Sequence, residues 1–312
     1  MGVGQGAGGH HLSGLTVDQA FAAYEAVRHR LPPVAPGGTC EAHDSLADIA
    51  DRFDAVLLDA FGVLNIGETA IPGAPERVAA LRAAGKRVLV VSNAAGFPHA
   101  ALMEKYARLG YDFAPDDVIT SRATMLAALN GERALHWGLM ATRATGLRDL
   151  EGLHLTYLEE ERAPYAQVEG FLLVGSAAWT EARQRLLEEA LIARPRPVFV
   201  GNPDIVAPRE RGFSTEPGHF AHRLADRTGV TPRFFGKPFA DIYARAFARL
   251  DPAIPRHRVL MVGDSLHTDI LGAQAAGIRS ALITGYGFFA GHDAGGAIAR
   301  AGIRPDYRIT RP

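Results

Sequence analysis

The chain has 312 residues, of which 47% are hydrophobic and 21% charged, as in an ordinary globular protein with room for about two domains. Its formal net charge of −1 creates no overall field that would attract nucleic acid or an acidic membrane surface, and no apolar run approaches the ~20 residues of a membrane span. The single cysteine, Cys40, excludes an internal disulfide and fits a reducing compartment, so we expect a cytoplasmic protein.

The first 45 residues form an N-terminal extension. Glycine-rich composition predicts disorder over residues 1–15, and helically spaced apolar residues predict an amphipathic helix over residues 16–30. Residues 33–44 are expected to be a loop that leads to a short capped helix over residues 46–52. The extension, residues 1–45, is therefore expected to be partly disordered and to contain one helix.

Strands and helices then alternate along the chain. A first group comprises a strand at 54–59, a helix at 74–84, a strand at 87–91 and a helix at 98–109. A central segment contains strands at 170–174 and 197–200, joined by a helix at 180–193. A last group comprises a helix at 240–250, a strand at 258–262, a helix at 268–276 and strands at 280–283 and 307–309. Buried apolar strands that alternate with helices predict a parallel sheet with helical crossovers.

Polar residues follow several of these strands, at the edge where parallel sheets bind ligands. They are Asp59, the pair Ser92-Asn93, and Asp264, which Asp269 follows about one helical turn later. A further polar signal, Gly236-Lys237-Pro238, lies at the start of a helix. Each alone has a simpler explanation as a helix cap, a loop residue or a solvated charge. Together, acids, a hydroxyl and a lysine suit phosphoryl transfer, because a carboxylate can attack phosphorus while Mg²⁺ and lysine neutralise the phosphate.

This ordered set resembles the four motifs of the haloacid dehalogenase-like (HAD) superfamily over about residues 50–290. Asp59 lies in the first motif, Ser92-Asn93 in the second, Gly236-Lys237-Pro238 in the third, and Asp264 with Asp269 in the fourth. Because the long insertion lies between the second motif and Gly236-Lys237-Pro238, the resemblance is to class IIA, the NagD-like and p-nitrophenyl phosphatase-like branch. It implies a doubly wound, Rossmann-like α/β core formed by residues 46–119 and 206–312. It also implies a C2-type α/β cap over residues 120–205, which would set substrate specificity.

The resemblance further implies a Mg²⁺-dependent phosphatase with an aspartyl-phosphate intermediate. Asp59 would be the nucleophile and a metal ligand, and Asp264 would bind the metal directly. The main-chain carbonyl of Phe61 would be a further ligand. Asp269 would bind the metal itself or hold its other ligands and Lys237 in place.

The substrate side follows from the same resemblance. Ser92, with Asn93 beside it, would hydrogen-bond the transferred phosphoryl group, and Lys237 would balance its charge and that of the nucleophile. The expected substrate is a small phosphorylated metabolite such as a sugar phosphate or a nucleotide. By analogy with the branch alone, a homodimer formed through the cap remains an open expectation.

Phe61 departs from the superfamily pattern, which has a second aspartate there to protonate the leaving group and activate water. Phenylalanine does neither, and general acid–base catalysis contributes roughly 10²–10⁴-fold. Three explanations stay open: an acid from the cap, a leaving group that needs no proton, or a phosphorylated-ligand-binding protein with negligible turnover. The candidate acids in the insertion are His136, His154, residues 159–161 and Asp204.

An aromatic residue at this position also resembles the metal-independent 2-haloacid dehalogenases, in which the aspartate attacks carbon. Those enzymes place their cap between the first two motifs, where this chain has no room, and they lack an acid equivalent to Asp264. Dehalogenation is therefore the less favoured alternative. His267, inside the fourth motif, is expected to be a loop residue.

Overall fold

Helices and strands alternate along the chain, as the sequence predicts. The structure, a computed structural model, describes residues 12–209 and 212–312; most of the segment predicted to be disordered, residues 1–11, lies outside them. The α-helices are α1 (Val17–Ala26), α2 (Ala74–Ala83), α3 (His99–Arg108), α4 (Ser121–Ala128), α5 (Arg162–Gln167), α6 (Glu181–Ala193), α7 (Pro217–Thr228), α8 (Ala240–Phe247), α9 (Leu271–Ala275) and α10 (Ala294–Ala301). The strands are β1 (Leu12–Ser13), β2 (Glu41–Ser45), β3 (Ala55–Leu58), β4 (Asn65–Ile66), β5 (Thr69–Ala70), β6 (Arg87–Ser92), β7 (Val118–Thr120), β8 (His136–Met140), β9 (His154–Tyr157), β10 (Gly170–Leu173), β11 (Val198–Val200), β12 (Val206–Pro208), β13 (Phe213–Thr215), β14 (Arg233–Phe234), β15 (Val259–Gly263), β16 (Arg279–Ile283) and β17 (Tyr307–Arg311).

The core is a seven-stranded sheet in the order β2-β17-β16-β15-β3-β6-β7, and every neighbouring pair is parallel. Successive residues of β3 alternate between its faces: Val56 and Leu58 pack in one apolar cluster, and Ala55 and Leu57 in another. Burial on both faces explains the uninterrupted apolar run in the sequence. The predicted parallel α/β core is confirmed.

The cap is built on a five-stranded parallel sheet in the order β14-β11-β10-β8-β9. Its outermost strand, β14, pairs Phe199 with Arg233, and Ala221 and Leu224 of α7 pack in the cap's apolar cluster beside Leu187. The cap therefore extends to Phe234, and the predicted end at residue 205 is wrong. The two-residue strand β14 is too short to produce a periodic pattern, so hydrophobic patterning does not predict that the chain rejoins the cap sheet.

The N-terminal extension is more closely joined to the core than the sequence predicts. The presumed loop at 33–44 contains the start of β2, an edge strand paired with β17, so the core begins near residue 41. Polar residues dominate β2 because its outer edge faces solvent. The strand therefore lacks the apolar pattern by which a strand is predicted from sequence. The short helix predicted at 46–52 is instead two 3₁₀ turns, Leu46–Asp48 and Ala50–Arg52. Leu12–Ser13, predicted to be disordered, pairs with β13.

The segment that joins β11 to α7 leaves the cap and packs over the core before the chain returns to the cap. This crossing segment comprises residues 201–209 and 212–216 of the described chain. Ile205, Val206 and Phe213 pack with Leu266 and Phe288 of the core, and β12 and β13 form an antiparallel pair there. This crossing carries part of the insertion to the carboxyl ends of the core strands. None of the helices in the described part of the chain combines the length and apolar character of a membrane span.

Candidate active site

Three carboxylates converge at the carboxyl edge of the core sheet. Asp59 follows β3, Asp264 follows the neighbouring β15, and Asp269 lies in the helical turn Leu266–Ile270. One oxygen from each carboxylate lies within 4.8 Å of the others. Burial, and then repulsion from the other two acids, raises the pKa of Asp264 well above its usual range. A cluster of buried acids that repel one another fits a divalent cation such as Mg²⁺, which would compensate their charge.

Lys237 supplies a buried positive charge to the same cluster. Its Nζ lies 2.5 Å from Oδ1 of Asp59 and 2.7 Å from Oδ1 of Asp269. Burial alone would lower the pKa of Lys237, but the two carboxylates outweigh it and hold that pKa above the ordinary value. For Asp59, burial outweighs the lysine and raises the pKa to about 6. The lysine therefore stays charged beside a carboxylate that is ionised at neutral pH.

Ser92 and Asn93 lie at the end of β6, the strand beside β3. The Ser92 hydroxyl is buried and accepts a hydrogen bond from the main-chain N–H of Ala94 at 3.2 Å. Oδ1 of Asn93 accepts from the N–H of Lys237 at 2.7 Å, and its Nδ2 donates to the Lys237 carbonyl at 2.9 Å. Gly236 precedes the lysine because a Cβ there would lie 2.5 Å from Oδ1 of Asn93. The second and third motifs are thus joined by direct hydrogen bonds.

The ring of Phe61 stands two residues after Asp59, between two cations. Nζ of Lys105 lies 4.9 Å and Cζ of Arg209 lies 5.1 Å from its ring centroid, within cation–π range. Arg209 also pairs with Glu216 at 2.9 Å. An aromatic ring held by two basic side chains thus occupies the position where the superfamily usually has its second acid.

A cavity of about 540 Å³ lies between these motifs and the cap. Its lining includes Asp59, Phe61, Ser92, Asn93, Lys237 and Asp264 from the core, and Thr142, Arg148, Ser176 and Asp204 from the insertion. The volume suits a small ligand rather than a polymer.

Among the candidate acids from the insertion, Asp204 is the one that lines this cavity. His136 and His154 stack on each other on neighbouring strands of the cap sheet, with ring centroids 3.8 Å apart. Glu159 pairs with Arg143 at the surface. The segment after β11 therefore brings one of these candidate acids, Asp204, to the carboxyl edge of the core sheet, while His136, His154 and Glu159 stay in the cap.

Asp204 is held by hydrogen bonds at its side chain and its main chain. Its Oδ1 accepts from Nδ2 of Asn93 at 2.7 Å, and its main-chain N–H donates to Oδ1 of Asn202 at 2.9 Å. Nδ2 of Asn202 in turn donates to Glu216 at 3.1 Å. Burial raises the pKa of Asp204 to about 8 in spite of the hydrogen bond from Asn93. Burial therefore favours the neutral, protonated form of Asp204, which lies beside Asn93.

Sequence reasoning missed Tyr24, which reaches the cavity from the N-terminal extension. Its hydroxyl accepts the main-chain N–H of Ile205 at 3.1 Å. An aromatic residue on the apolar face of an amphipathic helix has the same pattern as an ordinary core residue, so no sequence signal distinguishes it.

Comparison with known proteins agrees with this geometry. The model of the family described as haloacid dehalogenase-like hydrolase matches residues 56–147, and a model described as HAD-hydrolase-like matches residues 234–310. The chain is 31% identical over 248 residues to a D-glycerol 3-phosphate phosphatase of Mycobacterium tuberculosis, covering 76% of this chain and 65% of that protein, just under two thirds of its length. It is 28% identical over 229 residues to an acid sugar phosphatase of Staphylococcus aureus, covering 73% of this chain and 85% of that one.

Solved structures share the fold. A glycerol phosphate phosphatase from Mycobacterium tuberculosis, in complex with magnesium, superposes with a TM-score of 0.65 at 26% identity and covers 84% of this chain and 76% of its own. NagD from E. coli superposes with a TM-score of 0.63 at 21% identity, and the match covers 83% of this chain and 96% of NagD. The first family match runs from the core into the cap as far as residue 147, and the second covers the core from the end of β14 onward. The chain belongs to the haloacid dehalogenase-like hydrolase superfamily.

Proposed function

We propose that the protein is a Mg²⁺-dependent phosphatase that hydrolyses a small phosphorylated metabolite through an aspartyl-phosphate on Asp59. The observation that carries this proposal is the position of Asp59, which faces the cavity between Lys237 and the acids Asp264 and Asp269. The relatives named for glycerol 3-phosphate and sugar phosphates support a small phosphorylated substrate.

In this proposal Asp59, Asp264 and the Phe61 carbonyl hold Mg²⁺, and Asp269 either joins them or holds Lys237. The bound metal would neutralise phosphoryl oxygens and make the phosphorus easier to attack. Lys237 holds one oxygen of Asp59, which leaves the other oxygen available for attack on phosphorus.

The phosphoryl group needs its own contacts. The Ser92 hydroxyl, at the cavity wall, donates to a phosphoryl oxygen. Asn93 was predicted to bind substrate as well; its amide contacts Lys237 and Asp204, which supports a role in holding these two residues in place.

We further propose that Asp204 takes the part of the acid that Phe61 cannot supply. In the first step a carboxylate oxygen of Asp59 bonds to phosphorus, the bond between phosphorus and the leaving oxygen breaks, and that oxygen takes the proton from Asp204. In the second step the oxygen of water bonds to phosphorus, the water gives its proton to the Asp204 carboxylate, and the bond between phosphorus and Asp59 breaks to release phosphate. A protonated carboxyl on the cavity wall supports this assignment.

The alternative is a protein that binds a phosphorylated ligand and hardly hydrolyses it, an idea that rests on Phe61. The test is phosphate release from glycerol 3-phosphate and p-nitrophenyl phosphate by the wild type, Asp59→Asn and Phe61→Asp, with Mg²⁺ and with EDTA. We expect Mg²⁺-dependent turnover that Asp59→Asn abolishes.

An inert wild type that gains activity through Phe61→Asp would favour the binding protein. Inactivity of the wild type and of both variants, with and without Mg²⁺, would refute the phosphatase proposal. Halide release from 2-chloropropionate in EDTA would instead favour a dehalogenase.

The finer predictions from the sequence stay part of this proposal. A cytoplasmic location rests on the single cysteine, Cys40. A homodimer through the cap rests on analogy with the branch. Size-exclusion chromatography with light scattering on the full chain measures its mass in solution and tests the dimer.

A further inference from the structure

Helix α1 of the N-terminal extension packs directly on the turn that carries the fourth motif. The ring of Tyr24 stacks on that of His267 with centroids 5.0 Å apart and an interplanar angle of 10°, and Phe21 meets the same ring edge-on at 5.3 Å. Oε1 of Glu25 lies 2.5 Å from Nε2 of His267. Residues 21, 24 and 25 share one face of the helix, so a single face of α1 encloses the histidine. His267, expected to be an ordinary loop residue, is therefore an anchor point for the extension.

The same face also contacts a second segment that holds Asp264. The Tyr24 ring meets the Phe288 ring edge-on, with centroids 6.3 Å apart. The main-chain N–H of Phe288 donates to Oδ2 of Asp264 at 2.7 Å. The carboxylate fits tightly here, because a Cβ added at Gly287 would lie 2.0 Å from that oxygen. The turn after Asp264 and the loop that hydrogen-bonds its carboxylate thus both rest on Tyr24.

A third contact joins Tyr24 to the crossing segment. Its hydroxyl accepts the N–H of Ile205, the residue after Asp204, and the side chain lines the catalytic cavity. Tyr24 is 3% exposed and His267 is 1% exposed, so both are enclosed by protein. One side chain of the extension therefore touches all three segments that place Asp264 and Asp204.

We propose that α1 is part of the active site, and that Tyr24, with the Glu25–His267 pair, positions Asp264 for Mg²⁺. These are positioning residues, since they reach the metal only through the segments that hold Asp264. The inference rests on the proposed Mg²⁺ site. Partners that orient a metal ligand typically change metal affinity by 10–100-fold when they are removed. We therefore expect damage to this face of α1 to weaken Mg²⁺ binding by about tenfold or more.

The test is calorimetric titration of the full chain with Mg²⁺ alone, together with the melting temperature of each variant without metal. Tyr24→Ala removes both ring contacts and the hydroxyl, and we expect about tenfold weaker Mg²⁺ binding at temperatures well below unfolding. Tyr24→Phe keeps the stacking, so its Mg²⁺ affinity should stay within about threefold of wild type. Glu25→Gln is a milder change that should also weaken Mg²⁺ binding. It provides the test if Tyr24→Ala does not fold.

The matched control is Ala26→Ser, on the opposite side of the same helix from residues 21, 24 and 25. Ala26 is exposed, so a serine there should leave Mg²⁺ affinity unchanged. Wild-type Mg²⁺ affinity in folded Tyr24→Ala and Glu25→Gln would overturn the inference, whatever their melting temperatures. Because the readout is binding, wild type that binds Mg²⁺ without hydrolysing phosphate esters would refute the phosphatase alone. Wild type that binds no Mg²⁺ would refute both proposals.

Discussion

Asp204→Asn is the sharpest test of how this site works without an acid at position 61. Asparagine has nearly the same shape, and its Oδ1 can still accept the hydrogen bond that Asn93 donates to Asp204. The substitution therefore removes the proton and leaves the contacts around Lys237 in place. Any loss of activity then reports on proton transfer rather than on the positions of the neighbouring motifs.

The expected magnitude depends on the leaving group. With its pKa raised to about 8 by burial, the Asp204 carboxyl favours its protonated form near neutral pH, the form that can donate a proton to the leaving oxygen. Its loss should lower kcat for glycerol 3-phosphate by roughly 10²–10⁴-fold, because an alkoxide leaves poorly without a proton. For p-nitrophenyl phosphate, whose phenolate leaves without protonation, the loss should stay below about tenfold.

The pH profile gives an independent readout. The active form of Asp204 is protonated, so the wild-type rate with glycerol 3-phosphate should fall as pH rises through about 8. This alkaline decline should be absent in Asp204→Asn, whose side chain does not titrate. The measurement is kcat from pH 6 to 10 for both substrates, with Mg²⁺ held saturating. An equal loss for both substrates, or an unchanged alkaline decline in the variant, would refute the role of Asp204.

Two further predictions concern Phe61, two residues after Asp59, and Gly287, which lies against Asp264. Adding Phe61→Asp to Asp204→Asn should restore at least tenfold of the lost kcat for glycerol 3-phosphate, since it returns an acid to the superfamily's usual position; Phe61→Asn in the same background, which adds no acid, should restore none. Gly287→Ala should weaken Mg²⁺ binding in calorimetry because its Cβ would lie 2.0 Å from Oδ2 of Asp264. Gly291→Ala shares the positive φ but has no atom within 4 Å of the new Cβ, so equal Mg²⁺ loss in both variants would point to backbone strain instead.

Sequence patterns predict the core and most of the proposed catalytic set. Strands β3, β6 and β15 are buried on both faces, so they stand out as apolar runs, and a polar residue ends β6 and directly follows β3 and β15. Parallel strands place their carboxyl ends at one edge. The assembly of Asp59, Ser92 and Asp264 therefore follows from local patterns and their order along the chain.

Other residues reach that edge through contacts between segments that are distant in the sequence. Asp204 lies within the insertion, but the chain after β11 crosses back over the core and carries this acid to Asn93. Tyr24 arrives from the opposite end of the chain, through the packing of α1 against His267. Such contacts depend on the packing of segments distant in sequence and leave no periodic signal in either segment. Local patterning therefore identifies the proposed nucleophile and the proposed metal-binding acids, while the proposed proton donor, Asp204, and the contacts of Tyr24 are found only in the folded chain.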